Sequence, residues 1–192
     1  MVELAHIIIA YCLGSVCFGL LFAKRRGIDL RAMGSGNIGA TNAGRAMGTS
    51  VGRAVMLLDM LKGALPVASA VWLWECRPII IAATGVAATL GHLFPLWFGF
   101  RGGKGAATAG GVLIAALPIA GLSALGSFVF AKRASGHASI GSLVACLVAL
   151  AVTWSTQESW YSVAMVLALV SLVIMRHHEN IRRLFAGREI KS

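Results

Sequence analysis

Charge is what this chain has least of. Asp, Glu, Lys and Arg make up 12% of its 192 residues, where a soluble domain carries about 25%. Hydrophobic residues make up 58% and the mean hydropathy is +0.81, so a water-soluble globule is excluded. Acidic residues are scarcest, with seven Asp and Glu against 17 Lys and Arg and a net charge of +10. The basic residues lie in the short stretches between apolar runs, which argues against a nucleic-acid partner. Cysteine is also sparse. Cys12, Cys17, Cys76 and Cys146 lie in or beside apolar runs and form no C-x-x-C pair or Cys/His cluster. That excludes a zinc site and a disulfide framework and leaves small buried apolar side chains. No segment reads as a cleaved signal, because the first apolar stretch lacks a basic n-region and ends in KRRG.

What the chain does have is long oily segments. Apolar runs occupy 4–23, 54–74, 79–98, 106–117, 119–131, 140–154 and 160–175. A crossing of the hydrocarbon needs about 20 apolar residues, so the first three and last two runs are expected to span. The fourth and fifth hold about a dozen residues each, near 20 Å of helix against roughly 30 Å of hydrocarbon. They make either one span kinked at Pro118 or two short spans turning near Pro118 and Gly121. Charge favours odd parity. Glu3 precedes the first run and Lys24, Arg25 and Arg26 follow it, and seven crossings, or five plus a short re-entrant hairpin, put every Lys and Arg except Arg77 on or toward the cytoplasmic side, with seven preferred. The expected fold is an all-α integral membrane protein of about seven transmembrane helices. Its N-terminus is outside, its C-terminus inside, its fourth and fifth helices are short, and 1–192 forms one polytopic domain. Trp72, Trp74, Trp97, Trp154 and Trp160 fall near span ends, as an aromatic belt requires.

On this topology three polar blocks face one compartment, within cytoplasmic loops 33–45, 99–108 and 176–189. The first, MGSGNIGATNAGR (33–45), offers close backbone approach at its glycines and short hydrogen bonds from Ser35, Asn37, Thr41 and Asn42. Arg45 can grip a phosphate through two N–H groups. In the second, GFRGGKGAAT, Gly102, Gly103 and Gly105 surround Lys104 just before a helical run. Their N–H groups can form an anion nest that the helix N-terminus extends. A Walker A loop would need Gly at 98 and Ser or Thr at 105; the chain has Phe98 and Gly105, so ATP hydrolysis is unsupported. The third, RHHENIRRLFAGRE, reads as a helix continuing from the last span. Its wheel puts His177, Asn180, Ile181 and Leu184 on one face, with His178 and Arg182 elsewhere. Within the second span, Asp59 and Lys62 are spaced to pair. Lys24, Arg25, Arg26 and Arg31 suit anionic lipid headgroups.

GSGNIGATNAGR, GHLFPLWFGFRGGKGAAT and HHENIRRLFAGRE together resemble, in order and over most of the chain, the three motifs of the bacterial acyl-phosphate:glycerol-3-phosphate acyltransferases. That resemblance implies an inner-membrane enzyme with a cytoplasmic active site. It would move a fatty acyl group from acyl phosphate to the 1-hydroxyl of sn-glycerol 3-phosphate, giving lysophosphatidate and inorganic phosphate. Carried over by motif, Ser35, Lys104, His177 and Asn180 are the expected catalytic residues. Asn37, Thr41, Arg45, Gly102, Gly103, Gly105 and Ser142 are the expected substrate-binding residues, with Ser139 beside Ser142 in HASIGS. HHEN stands where the family has His-Arg-Glu-Asn, a change at the outward-facing residue 178. No cofactor, metal or obligate protein partner is expected beyond the substrates and membrane lipid. No His-x-x-x-x-Asp pair occurs in the chain, so the proton acceptor is either His177 or a substrate phosphate. The competing reading is a transporter of a phosphate-bearing anion. A phospholipid synthase of the CDP-alcohol type needs a spaced aspartate array that Asp29 and Asp59 cannot supply.

Overall fold

The structure is a computed structural model that describes residues 2–192, and among these residues every regular element is helical. Helices α1 (Val2–Gly14) and α2 (Phe18–Lys24) form the first apolar segment. After the glycine-rich loop come α3 (Ala40–Met47) and α4 (Thr49–Ala68), which runs on through a π-turn to Leu73. Next are α5 (Pro78–Leu93), α6 (Ala106–Ala116), α7 (Pro118–Ser135), α8 (Ala138–Ser155), α9 (Trp160–Arg176) and α10 (His178–Phe185). By length and composition Glu3–Lys24, Thr49–Leu73, Pro78–Phe98 and Ala138–Ser155 can each cross a membrane, and α9 joins them when taken together with α10.

The short fourth segment is observed: α6 has 11 residues, about 16 Å at 1.5 Å per residue. The fifth differs from expectation. Instead of ending near 131, α7 continues through Lys132 and Arg133 to Ser135, where Gly136 at φ 74° closes it. Basic residues in that last turn complement the helix dipole, which is why the helix outlasts the apolar run. The third block also departs from a straight continuation, because α9 and α10 meet at His177 with a bend of 56°. The His177 Nδ1 donates to the Val173 carbonyl at 2.7 Å, and the residue's own N–H is left with Ile174 O at 2.9 Å. A side chain that takes the i−4 carbonyl tightens the turn and bends the helix.

Glycine sets the packing. Apolar side chains gain little by leaving lipid for protein, so helix association relies on close backbone approach. A Cβ on Gly63 would stand 2.2 Å from Thr108 O, and one on Gly111 would stand 1.9 Å from Met60 O, so α4 and α6 touch through their backbones. Gly14 and Gly91 do the same for α1 and α5. The main core gathers around Val67, Ala88, Val112, Val166 and Leu169. A second cluster at one end, with Leu30, Ile38, Ala43 and Val55, pins both flanks of the glycine-rich loop. At the other end, Arg77, the one basic residue placed outside by the charge pattern, pairs with Glu3 at 2.7 Å. The cysteines are unpaired, and three of the four are buried.

Gly111→Ala is expected to lower the thermal midpoint of the purified protein by an amount equivalent to about 2 kcal/mol, the usual scale of overpacking. Gly110→Ala meets nothing within 4 Å and should leave the midpoint unchanged. Equal midpoints for the two variants would contradict the backbone contact.

Candidate active site

The three polar blocks meet at one end of the bundle. The first is shaped by Asn42. Its side chain is 1% exposed; its Oδ1 accepts the Ser35 N–H at 3.0 Å, and its Nδ2 donates to Leu30 O at 3.1 Å and Met33 O at 2.9 Å. Asn42 therefore serves the loop and has no donor left for a ligand, contrary to the sequence expectation. The turn it holds needs φ of 55° at Gly34 and 69° at Gly36, a region that L side chains rarely adopt. Thr41 and Arg45, one turn apart on α3, line the same cavity as Ser35 and Asn37.

The second block departs further from the nest expected of it. The Gly102 N–H donates to Leu93 O at 3.0 Å and the Gly103 N–H to His92 O at 3.1 Å. Neither glycine lines the cavity. Both let the loop lie against the end of α5, since a Cβ on Gly102 would stand 2.0 Å from His92 O. On the loop's other side, Arg176 donates through Nη2 to Gly102 O at 3.0 Å and through Nε to Gly103 O at 3.1 Å. Held between α5 and Arg176, the loop presents Lys104 and Gly105 to the cavity, with α6 beginning at Ala106.

The third block supplies the partners. Lys104 Nζ donates to Asn180 Oδ1, and Asn180 Nδ2 donates to Glu189 Oε1. Glu189 also accepts from Ser139 Oγ at 2.9 Å and Arg183 Nε at 2.8 Å. Burial opposes its charge, but the hydrogen bonds from Asn180, Arg183 and Ser139 prevail and hold its pKa below the usual carboxylate value. Ser142 Oγ donates to Ala138 O at 3.0 Å. Arg45 donates to the carbonyls of Ile190 and Lys191, so the chain's last residues lie across the mouth of the site. As the wheel predicted, His177 and Asn180 are buried while His178 and Arg182 are exposed, but Ile181 and Leu184, assigned to the same inward face, are only half-buried.

Burial, followed by the Arg183 charge, brings Lys104 down to about 8. Burial also lowers His177 to about 4, against the Val173 hydrogen bond, which raises it. His177 is thus neutral at pH 7. Because a carbonyl can only accept, Nδ1 carries the proton and Nε2 keeps its lone pair. The cavity encloses about 190 Å³. Its polar end has Ser35, Thr41, Arg45, Lys104, Ser142, His177, Asn180 and Arg183, and its wall continues into Leu113, Ile114, Phe128, Cys146 and Leu169. Arg176, Arg183 and Glu189 were not singled out from the sequence. All three belong to the third block, but no spacing rule links a bent helix and tail to the loops they contact.

Fold and site define a helical membrane protein whose cation-rich pocket opens into an apolar cavity between its helices. Residues 4–187 match the family model described as glycerol-3-phosphate acyltransferase. Curated glycerol-3-phosphate acyltransferases resemble the chain throughout: that of Geobacter sulfurreducens is 43% identical over 97% of this chain and 96% of its own. That of Aquifex aeolicus is 42% identical over 98% of each. Crystal structures of PlsY (YgiH), an integral membrane glycerol 3-phosphate acyltransferase, superpose closely. The glycerol 3-phosphate form has a TM-score of 0.97 at 39% identity, covering 100% of this chain and 96% of that one. The lysophosphatidic acid form has a TM-score of 0.93 at 38% identity, covering 100% and 95%. The chain belongs to the glycerol-3-phosphate acyltransferase family.

Asn42→Ala strips partners from buried groups on the first loop, each worth about 1–3 kcal/mol when left unsatisfied. The expected result is faster amide exchange across 30–36 and a lower thermal midpoint. Unchanged exchange there would show that Asn42 does not hold the loop.

Proposed function

We infer that this membrane glycerol-3-phosphate acyltransferase takes its acyl group from a fatty acyl phosphate and places it on the 1-hydroxyl, releasing lysophosphatidate and inorganic phosphate. The observation that carries this reading is the continuity of one cavity from the Lys104-centred polar end to the apolar wall around Leu113 and Leu169. A donor with a phosphate at one end and an acyl chain at the other fits both parts. Ser35, Thr41 and Asn180 would hold the acyl phosphate. Arg45, His177 and Ser142 would hold glycerol 3-phosphate, with Lys104 serving both and Asn37 and Gly105 completing the wall. Gly102 and Gly103 would act by carrying the loop, since their N–H groups are engaged elsewhere.

In this scheme the glycerol oxygen attacks the acyl carbonyl, the carbonyl–phosphate bond breaks, and the hydroxyl proton leaves with the phosphate. Positioned donors and Lys104 stabilise the charge that develops on the leaving group. His177 Nε2 can orient the hydroxyl as an acceptor. The proton ends on the released phosphate, passed there directly or by way of His177, and Ser35 is a hydrogen-bond donor in this reading. The topology that goes with it has seven crossings, with α6 and α7 as a hairpin at Leu117–Pro118, in the bacterial inner membrane. The charge pattern supports an outside N-terminus and a cytoplasmic site.

Purified protein given palmitoyl phosphate and radiolabelled glycerol 3-phosphate, with a chelator present, is expected to form lysophosphatidate. Palmitoyl-CoA should give none, and Lys104→Ala should lose at least about 10²-fold in kcat/KM. Product from the thioester alone would overturn the donor. With Lys104 near 8, its charge is present at pH 7 and lost as pH rises through that value. The KM for glycerol 3-phosphate should therefore rise above about pH 8, and Lys104→Arg, charged throughout this range, should remove the rise. A flat wild-type profile from pH 7 to 9 would show that this charge does not bind substrate.

A further inference from the structure

Behind the Lys104 loop lies a buried ion pair, with a histidine beside it, that the reaction scheme does not use. Asp59 and Lys62 of α4 pair at 2.8 Å, each side chain 3% exposed. His92, in the last turn of α5, places Nδ1 3.7 Å from the same Asp59 oxygen, and its side chain is 5% exposed. Charges inside a membrane protein are costly and tend to mark function. A buried ion pair can often be replaced by apolar side chains with no loss of stability. Stability alone is therefore a weak reason for this one, and its contacts indicate another.

The group forms a continuous path. Between α1 and α2 the helix opens, and the freed Val16 carbonyl accepts Lys62 Nζ at 2.6 Å. Lys62 pairs with Asp59, and Oδ1 of that carboxylate faces Nδ1 of His92 across 3.7 Å, neither of these two atoms having a hydrogen-bond partner. The opposite ring nitrogen, Nε2, lies against Gly103, where an added Cβ would stand 2.3 Å away. The His92 carbonyl receives the Gly103 N–H, and the next residue is Lys104. Asp59 and His92 also line the cavity. We propose that Asp59, Lys62 and His92 are positioning residues: the ion pair orients the His92 ring, which sets the Gly103–Lys104 turn and so places the Lys104 ammonium for the substrate phosphate.

This inference rests on glycerol 3-phosphate binding at Lys104 and is independent of the acyl donor. It is tested by calorimetric binding of glycerol 3-phosphate without donor, alongside thermal midpoints, on the full chain in detergent. Asp59→Asn and Lys62→Met each leave a lone buried charge and should lower the midpoint. The double variant Asp59→Asn/Lys62→Met removes both charges. It should regain a midpoint near wild type while its Kd for glycerol 3-phosphate stays about tenfold raised. Recovery of both midpoint and affinity would reduce the pair to a structural role and overturn the proposal. His92→Asn keeps an amide toward Asp59 and vacates the space against Gly103, so it gives a second reading should the double variant not fold. It should raise Kd about tenfold, and a wild-type Kd in that variant would overturn the proposal as well. If wild-type protein binds glycerol 3-phosphate but makes product only from a thioester, the donor reading fails and this one stands.

Discussion

The site depends on Lys104 reaching Asn180. That hydrogen bond joins the second block to the third, and Asn180 passes the connection to Glu189, Ser139 and Arg183. Buried polar groups are costly when only partly satisfied, so each member constrains the next. Asn180 faces inward from α10 just past the bend at His177, the clamp of α5 and Arg176 on Gly102 and Gly103 aims Lys104, and the tail brings up the carboxylate. Without any of these, a lysine beside an apolar cavity would extend to water, as long cationic side chains do.

Two kinds of rigidity hold the constellation in place. Along the bundle, small residues let α4 touch α6 and α1 touch α5 through their backbones, which leaves few ways for the helices to slide. At the site end, loops that would otherwise be flexible are fastened by side chains. Asn42 holds the first and Arg176 the second, and the apolar cluster of Leu30 and Ile38 anchors the first from both sides. A phosphate site needs its donors fixed before the charge arrives, because fixed dipoles need no reorganisation during reaction. Burial contributes too, lowering the pKa of both His177 and Lys104.

Much of this was legible in the sequence, and the reasons are local. Apolar runs separated by basic and glycine-rich stretches specify helices in a membrane, since nothing else satisfies the backbone of segments that long and oily. The helical wheel of the third block placed His177 and Asn180 inward and His178 and Arg182 outward, because side-chain direction follows from the 3.6-residue period alone. The spacing of Asp59 and Lys62 predicted their pairing for the same reason. Three ordered motifs were enough to indicate the family.

What only the tertiary structure decided concerns contacts between distant segments and competition for a shared group. That Asn42 and the two glycines serve the loops, with no donor left for a ligand, follows from partners in Leu30, Met33, His92 and Leu93, which no period predicts. The bend at His177 arises because a ring nitrogen wins a carbonyl from the backbone N–H. Glu189 enters the site because a short tail folds back across α10, and Asp59 meets His92 because α4 and α5 come together. Sequence determined which residues face inward. Three-dimensional packing determined what each one meets there, because burial creates a need for a partner without naming it.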